Sequence, residues 1–123
     1  MFDDLFLLLG TLFFKHWFVD FVNQSQEEID SKGIYGNWIG LVHSIKHGVL
    51  TTFIFGTIAQ IDWPSAVVLG FVDTAIHYHI DWAKNALNNS LGYTIQMSQY
   101  WALFGLDQLA HALTYLFLVW CII

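Results

Sequence analysis

Four long apolar stretches dominate the pattern of hydrophobic and polar positions along this 123-residue chain. A helix that crosses a bilayer needs about 20 mostly apolar residues, and each stretch is long enough. The stretches cover residues 4–23, 37–59, 64–84 and 101–122. They predict an all-α protein, a four-transmembrane-helix bundle that forms one integral membrane domain over residues 1–123.

The connectors between the stretches carry polar residues and turn signals. The first, NQSQEEIDSKGIYGN, predicts a loop or surface helix, and the third, NALNNSLGYTIQMSQ, predicts an amphipathic segment at the membrane interface. In the short second connector, Pro64 suits the first turn of a helix that Asp62 caps. A soluble bundle would show a broad polar stripe on each helix, and these stretches lack one.

Polar residues inside the stretches occur in pairs with a fixed spacing. Each stretch holds one pair four residues apart, which places both side chains on one face of a helix. The pairs are His16 with Asp20, His43 with His47, His77 with Asp81, and Asp107 with His111. In an up-down-up-down bundle all eight side chains lie at one depth, in one half of the membrane.

The chain also contains an internal repeat. HWFVDF at 16–21 matches HYHIDW at 77–82, and VHSIKHGV at 42–49 matches LDQLAHAL at 106–113. The two offsets nearly agree, since 77 − 16 = 61 and 107 − 43 = 64. We therefore expect two duplicated helical hairpins, related by a pseudo-twofold axis along the membrane normal.

Composition and charge narrow the classes of protein. The chain is 56% hydrophobic and only 11% charged, against about 25% charged residues in soluble domains. A formal charge of −6 argues against nucleic acid, which binds basic surfaces. Cys121 is the single cysteine, so the chain has neither a disulfide framework nor a CxxC motif. Membrane lipid is the expected partner, and the sequence leaves open whether the chain forms a homo-oligomer.

Five His and three Asp at one depth predict a metal site. Imidazole and carboxylate suit a divalent transition metal, zinc first, with manganese or iron as alternatives. Eight ligands exceed what one tetrahedral ion uses and suit two ions with a bridging carboxylate. A single intramembrane His often has only a packing role, but four pairs at one depth favour one or two bound ions.

Residues beside the pairs have weaker assignments. Lys84 at the rim either holds an anionic substrate or extends to the headgroups. Lys15 and Lys46 each precede a His by one residue, so their side chains lie on a different helix face from that His. This position favours contact with lipid headgroups or pairing with the aspartates of the cluster. Asp73 is a candidate partner for a metal-bound imidazole, and His79 favours a packing or interface role. Two amides are further candidates to support the ligands: Gln24 and Gln108.

With these motifs, the chain resembles the small bacterial and phage membrane-protein family known as domain of unknown function 3307. The resemblance covers nearly the whole chain and rests on HWFVDFVNQ (16–24), the His43–His47 pair, HYHIDWAK (77–84) and DQLAH (107–111). It implies a bacterial inner-membrane protein, cell- or phage-encoded, without a settled activity. More loosely, the chain is similar to inner-membrane proteins described as LexA-binding, metal-dependent hydrolases, which names no substrate.

The function that these residues favour is metal-dependent hydrolysis of a phosphate ester or anhydride at the membrane surface. Asp20 and Asp81 would be catalytic, and Lys84 would hold the anion. Whether the chain is an enzyme stays open, with three alternatives. They are a proton or divalent-metal transporter or channel, a structural or partner-binding subunit whose metal staples the bundle, and a haem protein.

Charge in the connectors predicts the orientation. Lys32 and Lys84 lie beside the predicted metal cluster, and Asp3 and Asp4 lie at the opposite side. Cytoplasmic loops carry the excess of lysine and arginine. We therefore expect the cluster near the cytoplasmic face and both termini outside.

Overall fold

Five α-helices account for most of the protein in a computed structural model, which describes residues 2–123. Met1, which belongs to the predicted domain, and the side chain of Asp3, whose charge contributes to the predicted orientation, lie outside the described residues. The helices are α1 (Phe2–Trp17), α2 (Gln26–Ser31), α3 (Trp38–Thr57), α4 (Trp63–Leu91) and α5 (Ser98–Trp120). Residues 2–123 contain no strand, which confirms the all-α prediction.

The ends of α4 follow from local chemistry. The side chain of Asp62 accepts a hydrogen bond from the Ser65 amide at 3.0 Å, and Pro64 lies in the first turn, so the predicted cap is confirmed. The helix passes the expected end at residue 84 and continues to Leu91. It stops at Gly92, whose φ of 67° is the left-handed conformation that favours glycine.

A π-helical turn, Phe18–Val22, extends α1 towards the first connector. The Asn23 amide donates to the Phe18 carbonyl at 2.7 Å, which closes a turn wider than that of an α-helix. Such turns are rare in proteins, and those that occur often lie at functional sites. Asp20, one of the predicted ligands, lies within this turn.

The four long helices form a closed bundle. Both α1 and α4 pack against α3 and α5. The backbones of α3 and α4 approach each other closely, because a Cβ atom placed on Gly48 would collide with the Gly70 carbonyl. Small residues at such a crossing are typical of membrane helix pairs.

The bundle interior has two chemically different ends. The apolar end is filled by hydrocarbon side chains from all four helices: Leu8, Leu12, Ile54, Phe55, Ala66, Leu69, Leu118 and Val119. The polar end holds the buried histidines and aspartates of the paired motifs. Thr51, Asp73 and Tyr115 lie between the two ends and are also buried.

Large hydrophobic side chains cover the outside of the bundle. Phe6, Phe53, Phe71 and Leu113, one from each long helix, are more than half exposed. Among the described residues, two helical segments are long and apolar enough to cross a membrane, Asp4–Val22 and Ser98–Trp120. The interior polar residues of α3 and α4 lower the mean hydropathy of these helices, so the two spans expected there, and with them the four-span bundle, stay predictions.

Candidate metal centre

All eight predicted ligands lie in the polar end of the bundle, and none is more than 8% exposed. Each long helix contributes two of them, because residues four apart share a helix face. The up-and-down order of the helices then brings the four pairs to one depth, as the sequence predicts. Seven of the eight belong to groups whose ligand atoms lie within 4.8 Å of one another.

The first group surrounds Asp20. Its Oδ1 atom lies 2.9 Å from His43 Nε2, 2.8 Å from His47 Nε2 and 3.6 Å from His77 Nε2. The Nε2 atoms of His43 and His77 are 3.3 Å apart. One carboxylate oxygen and three imidazoles therefore converge on a single small volume.

The second group surrounds Asp81. Its Oδ2 atom lies 3.2 Å from His77 Nε2, and its Oδ1 atom lies 3.1 Å from His111 Nε2. Asp20 completes this group, and His16 forms a third with His77 and His111. Asp20 thus belongs to two groups and His77 to all three, which is the arrangement of adjoining sites with shared ligands.

Equivalent residues of the two sequence repeats make equivalent contacts. The His16–Asp20 distance is 3.3 Å, and its counterpart His77–Asp81 is 3.2 Å. Likewise His47–Asp20 is 2.8 Å and His111–Asp81 is 3.1 Å. Each aspartate also accepts, at its backbone carbonyl, a hydrogen bond from an amide side chain four residues later. The two donors are Gln24, at 2.6 Å, and Asn85, at 2.9 Å.

The buried His/Asp cluster could hold a metal ion. Ligands bound to zinc at about 2.0–2.2 Å in a tetrahedron lie roughly 3.3–3.6 Å from one another, close to several of the distances here. Asp81 Oδ2 lies 3.0 Å from Lys32 Nζ and 3.2 Å from His77 Nε2, and Asp107 Oδ1 lies 3.5 Å from His111 Nε2, but neither oxygen makes a hydrogen bond of normal geometry within residues 2–123. A cation bound among these groups would satisfy both oxygens more fully.

Asp107 lies at the edge of the cluster. Its Oδ1 atom is 3.5 Å from His111 Nε2, and its Oδ2 atom accepts a hydrogen bond from Gln108 Nε2 at 3.0 Å. It falls outside the three groups within residues 2–123, so its role as a ligand stays a prediction. Gln108 also contacts His16 Nε2 through its carbonyl oxygen at 3.1 Å, and its predicted role as a supporting amide stays a prediction.

A buried lysine supports the histidines from the side of the apolar end. Lys15 donates to Asp73 Oδ2 at 2.9 Å and to the Tyr115 hydroxyl at 3.1 Å, and its Nζ is 3.3 Å from His47 Nδ1. The Tyr115 hydroxyl in turn lies 3.0 Å from His16 Nδ1. Asp73 therefore pairs with Lys15 and not with the imidazole it was expected to support. The contacts at Nδ1 of His16 and His47 hold these two rings with Nε2 facing Asp20.

The first connector covers the cluster more closely than the sequence suggested. A reciprocal capping box between Ser25 and Glu28 starts α2, and Lys46 forms an ion pair with Glu28. Burial raises the pKa of Glu28, but the hydrogen bonds from Lys46 and the Ser25 backbone outweigh it, so the pKa lies below its usual value. The motif SQEE is the signal that predicts this helix.

Lys32, at the end of α2, is a residue of the site that the sequence reasoning used only for orientation. Its side chain turns into the bundle, where Nζ lies 3.0 Å from Asp81 Oδ2. Lys84 lies 3.8 Å from Asp107 Oδ2, at the rim as expected. His79 lies outside the cluster, exposed, and contacts the Tyr35 hydroxyl at 3.0 Å.

The chain belongs to the family described as "Protein of unknown function (DUF3307)", whose model matches residues 8–123. This confirms the family resemblance, and the matched range includes all eight predicted ligands. No curated protein and no solved structure matches the chain. The looser likeness to metal-dependent hydrolases therefore has no support from a relative.

Proposed function

We propose that this member of the DUF3307 family is a four-span membrane protein with a metal centre at the polar end of its bundle. The distribution of side chains supports the spans, because the outside is apolar and the charged groups are inside. This is the reverse of a soluble bundle. The matched contacts around Asp20 and Asp81 support two duplicated hairpins.

The observation that carries the metal centre is the sharing of Asp20 and His77 between adjoining ligand groups. One ion would be held by Asp20, His43 and His47, and a second by Asp81 and His111, with His77 within reach of both and His16 beside His111. We favour zinc, with manganese or iron as alternatives, because the ligands are imidazoles and carboxylates without a thiolate.

The activity that we propose is hydrolysis of a phosphate ester or anhydride of a lipid. Divalent ions in such a centre act as Lewis acids and lower the pKa of bound water. Asp20 or Asp81 would act as the general base, and Lys84 would hold the anionic group. The centre would lie near the cytoplasmic face with both termini outside, following the lysines of the connectors.

Two alternatives receive less support. A transporter needs polar groups through the full depth, whereas Leu12, Phe55 and Leu118 close the apolar end. Bis-histidine haem needs space for a macrocycle between the rings, whereas the His47 and His77 ring centroids are only 3.6 Å apart. A structural metal centre stays as the competing function, because it needs the same ligands without an open position.

Turnover of lipid phosphates by metal-loaded protein in nanodiscs tests the activity. We expect Asp20→Asn and Asp81→Asn each to abolish turnover while the protein stays folded and inserted. Asp30→Asn is the matched control, because Asp30 is exposed on α2 and contacts Gln26, away from the cluster. Metal-loaded protein that hydrolyses none of a panel of lipid phosphates and pyrophosphates would favour the structural centre.

A further inference from the structure

We propose that Lys32 and Lys84 form a binding pocket for a phosphate group beside the metal centre, an inference that rests on the proposed centre. The two lysines come from different elements, the end of α2 and the C-terminal part of α4. Their ammonium groups contact Asp81 and Asp107, the two aspartates that flank His111. The pocket is thus defined by Lys32, Lys84 and the side of the cluster that contains His111.

Lys32 is held in place by the packing of α2 on α3. A Cβ atom on Gly40 would lie 3.3 Å from the Ser31 carbonyl oxygen, so the glycine allows the end of α2 to approach the helix. The Lys32 side chain is only 8% exposed, although the residue lies in a connector. A lysine that served only to contact headgroups would extend outward instead. Its inward position indicates a role inside the site.

Lys84 lies beside Asp107, the other aspartate close to His111. Its Nζ lies 3.8 Å from Asp107 Oδ2 and 5.7 Å from the centre of the Phe104 ring, and its side chain is 16% exposed. His111 Nε2 is 3.1 Å from Asp81 and 3.5 Å from Asp107. The two ammonium groups are therefore each one carboxylate away from the same imidazole.

The balance of charge favours an anion once two divalent ions bind. Asp20, Asp81 and Asp107 carry three negative charges, and Lys32 and Lys84 carry two positive charges. Lys15 and Asp73 neutralise each other at 2.9 Å. Two divalent ions would therefore leave the buried centre with three positive charges, and a net charge is costly to bury. A phosphate dianion would reduce that excess to one.

Phosphate also suits the donors that the pocket offers. An ammonium group has three rotatable donors and binds phosphate as a point charge, without the planar geometry that a carboxylate shares with arginine. Once a metal ion binds Asp81, Lys32 would lose part of its interaction with that carboxylate. Its N–H groups would then need an acceptor, which phosphate oxygens supply. The ligand class is a phosphate group, either free or on a lipid.

Titration calorimetry of the zinc-loaded full chain in detergent, with inorganic phosphate as the probe, tests the pocket. We expect Lys32→Gln and Lys84→Gln each to weaken phosphate binding by about tenfold or more, the effect of losing a charged hydrogen bond, with metal content unchanged. Lys32→Arg should retain most of the binding, because the charge remains. Lys46→Gln is the matched control, since Lys46 contacts Glu28 and Asn23 outside the pocket.

The outcomes separate this inference from the proposed function. Protein that binds zinc but binds phosphate equally well in the wild type and both glutamine variants would overturn the pocket and leave the metal centre intact. Protein that binds no metal would overturn both. A second titration, with phosphatidic acid in nanodiscs against inorganic phosphate, identifies the source of the group. Tighter binding of the lipid indicates a headgroup, and equal binding indicates free phosphate.

Discussion

At the polar end of the interior, His47 and His77 stack with their ring centroids 3.6 Å apart. About two turns away, at the apolar end, the hydrocarbon side chains of Leu12 and Phe55 fill the interior instead. The same four helices build both ends, and the outer surface is apolar beside both. The apolar end shows that hydrocarbon side chains suffice to pack this interior. Charged groups at the other end cost free energy that packing does not require, so they indicate a function.

Removing the ligand that the most groups share should have the largest effect on metal binding at the polar end. His77 belongs to all three ligand groups. We expect His77→Ala to lower zinc affinity by more than about 100-fold, beyond the 10–100-fold typical of residues that only support ligands. Equilibrium dialysis with zinc measures the change. His79→Ala, on the same helix but exposed, is the control and should bind zinc like the wild type.

A cavity in the apolar end should lower the stability of the protein without changing its metal binding. Phe55 is fully buried there, and we expect Phe55→Ala to destabilise the protein by about 3–5 kcal/mol. Zinc stoichiometry should not change, because the side chain lies away from the ligands. Denaturation in detergent and metal analysis of the same sample measure both properties. Loss of metal together with stability would mean that the two ends are not independent.

The layer between the ends should show an intermediate effect. Tyr115→Phe removes the hydroxyl that contacts His16 Nδ1 and accepts from Lys15. We expect zinc affinity to fall by about 10-fold, the lower part of the range for residues that orient a ligand, with little change in the fold. Zinc competition with a chelator measures the affinity. An unchanged affinity would show that Tyr115 does not orient the ring.

The smallest effect is expected at the rim, where it should depend on pH. The folded-state pKa of Glu28 lies below its usual value of 4.5, so its ion pair with Lys46 stabilises the protein above that pH. The contribution is lost as the pH falls through the folded-state pKa. Thermal melting should therefore separate the wild type from Glu28→Gln near neutral pH, and the two should converge on acidification. A constant difference would exclude the ion pair as its source.

The sequence predicts the polar end well because its signal is periodic. Pairs four residues apart, one in each apolar stretch, are enough to place eight side chains at one depth without knowledge of the packing. The cap at Asp62 and the helix start at Pro64 are equally local signals. The membrane spans of α3 and α4 are harder to establish, because the residues that form the site lower the hydropathy of these helices.

The contacts that the sequence does not predict are those set by tertiary packing. The π-helical turn around Asp20 has no strong local signal. Lys15 pairs with Asp73, 58 residues away, because the two meet across the bundle. The inward position of Lys32 depends on the close packing of α2 against Gly40. Each of these contacts can be predicted only when the relative positions of the helices are known.

Metal content decides whether the polar end of the bundle is a metal centre. Full-length protein purified without a histidine tag should contain one to two divalent transition-metal ions per chain by elemental analysis, and added zinc should raise its melting temperature. The same measurement on His77→Ala should show a lower content. Protein that is free of metal, and whose melting temperature does not change when zinc, manganese or iron is added, would contradict the proposed metal centre.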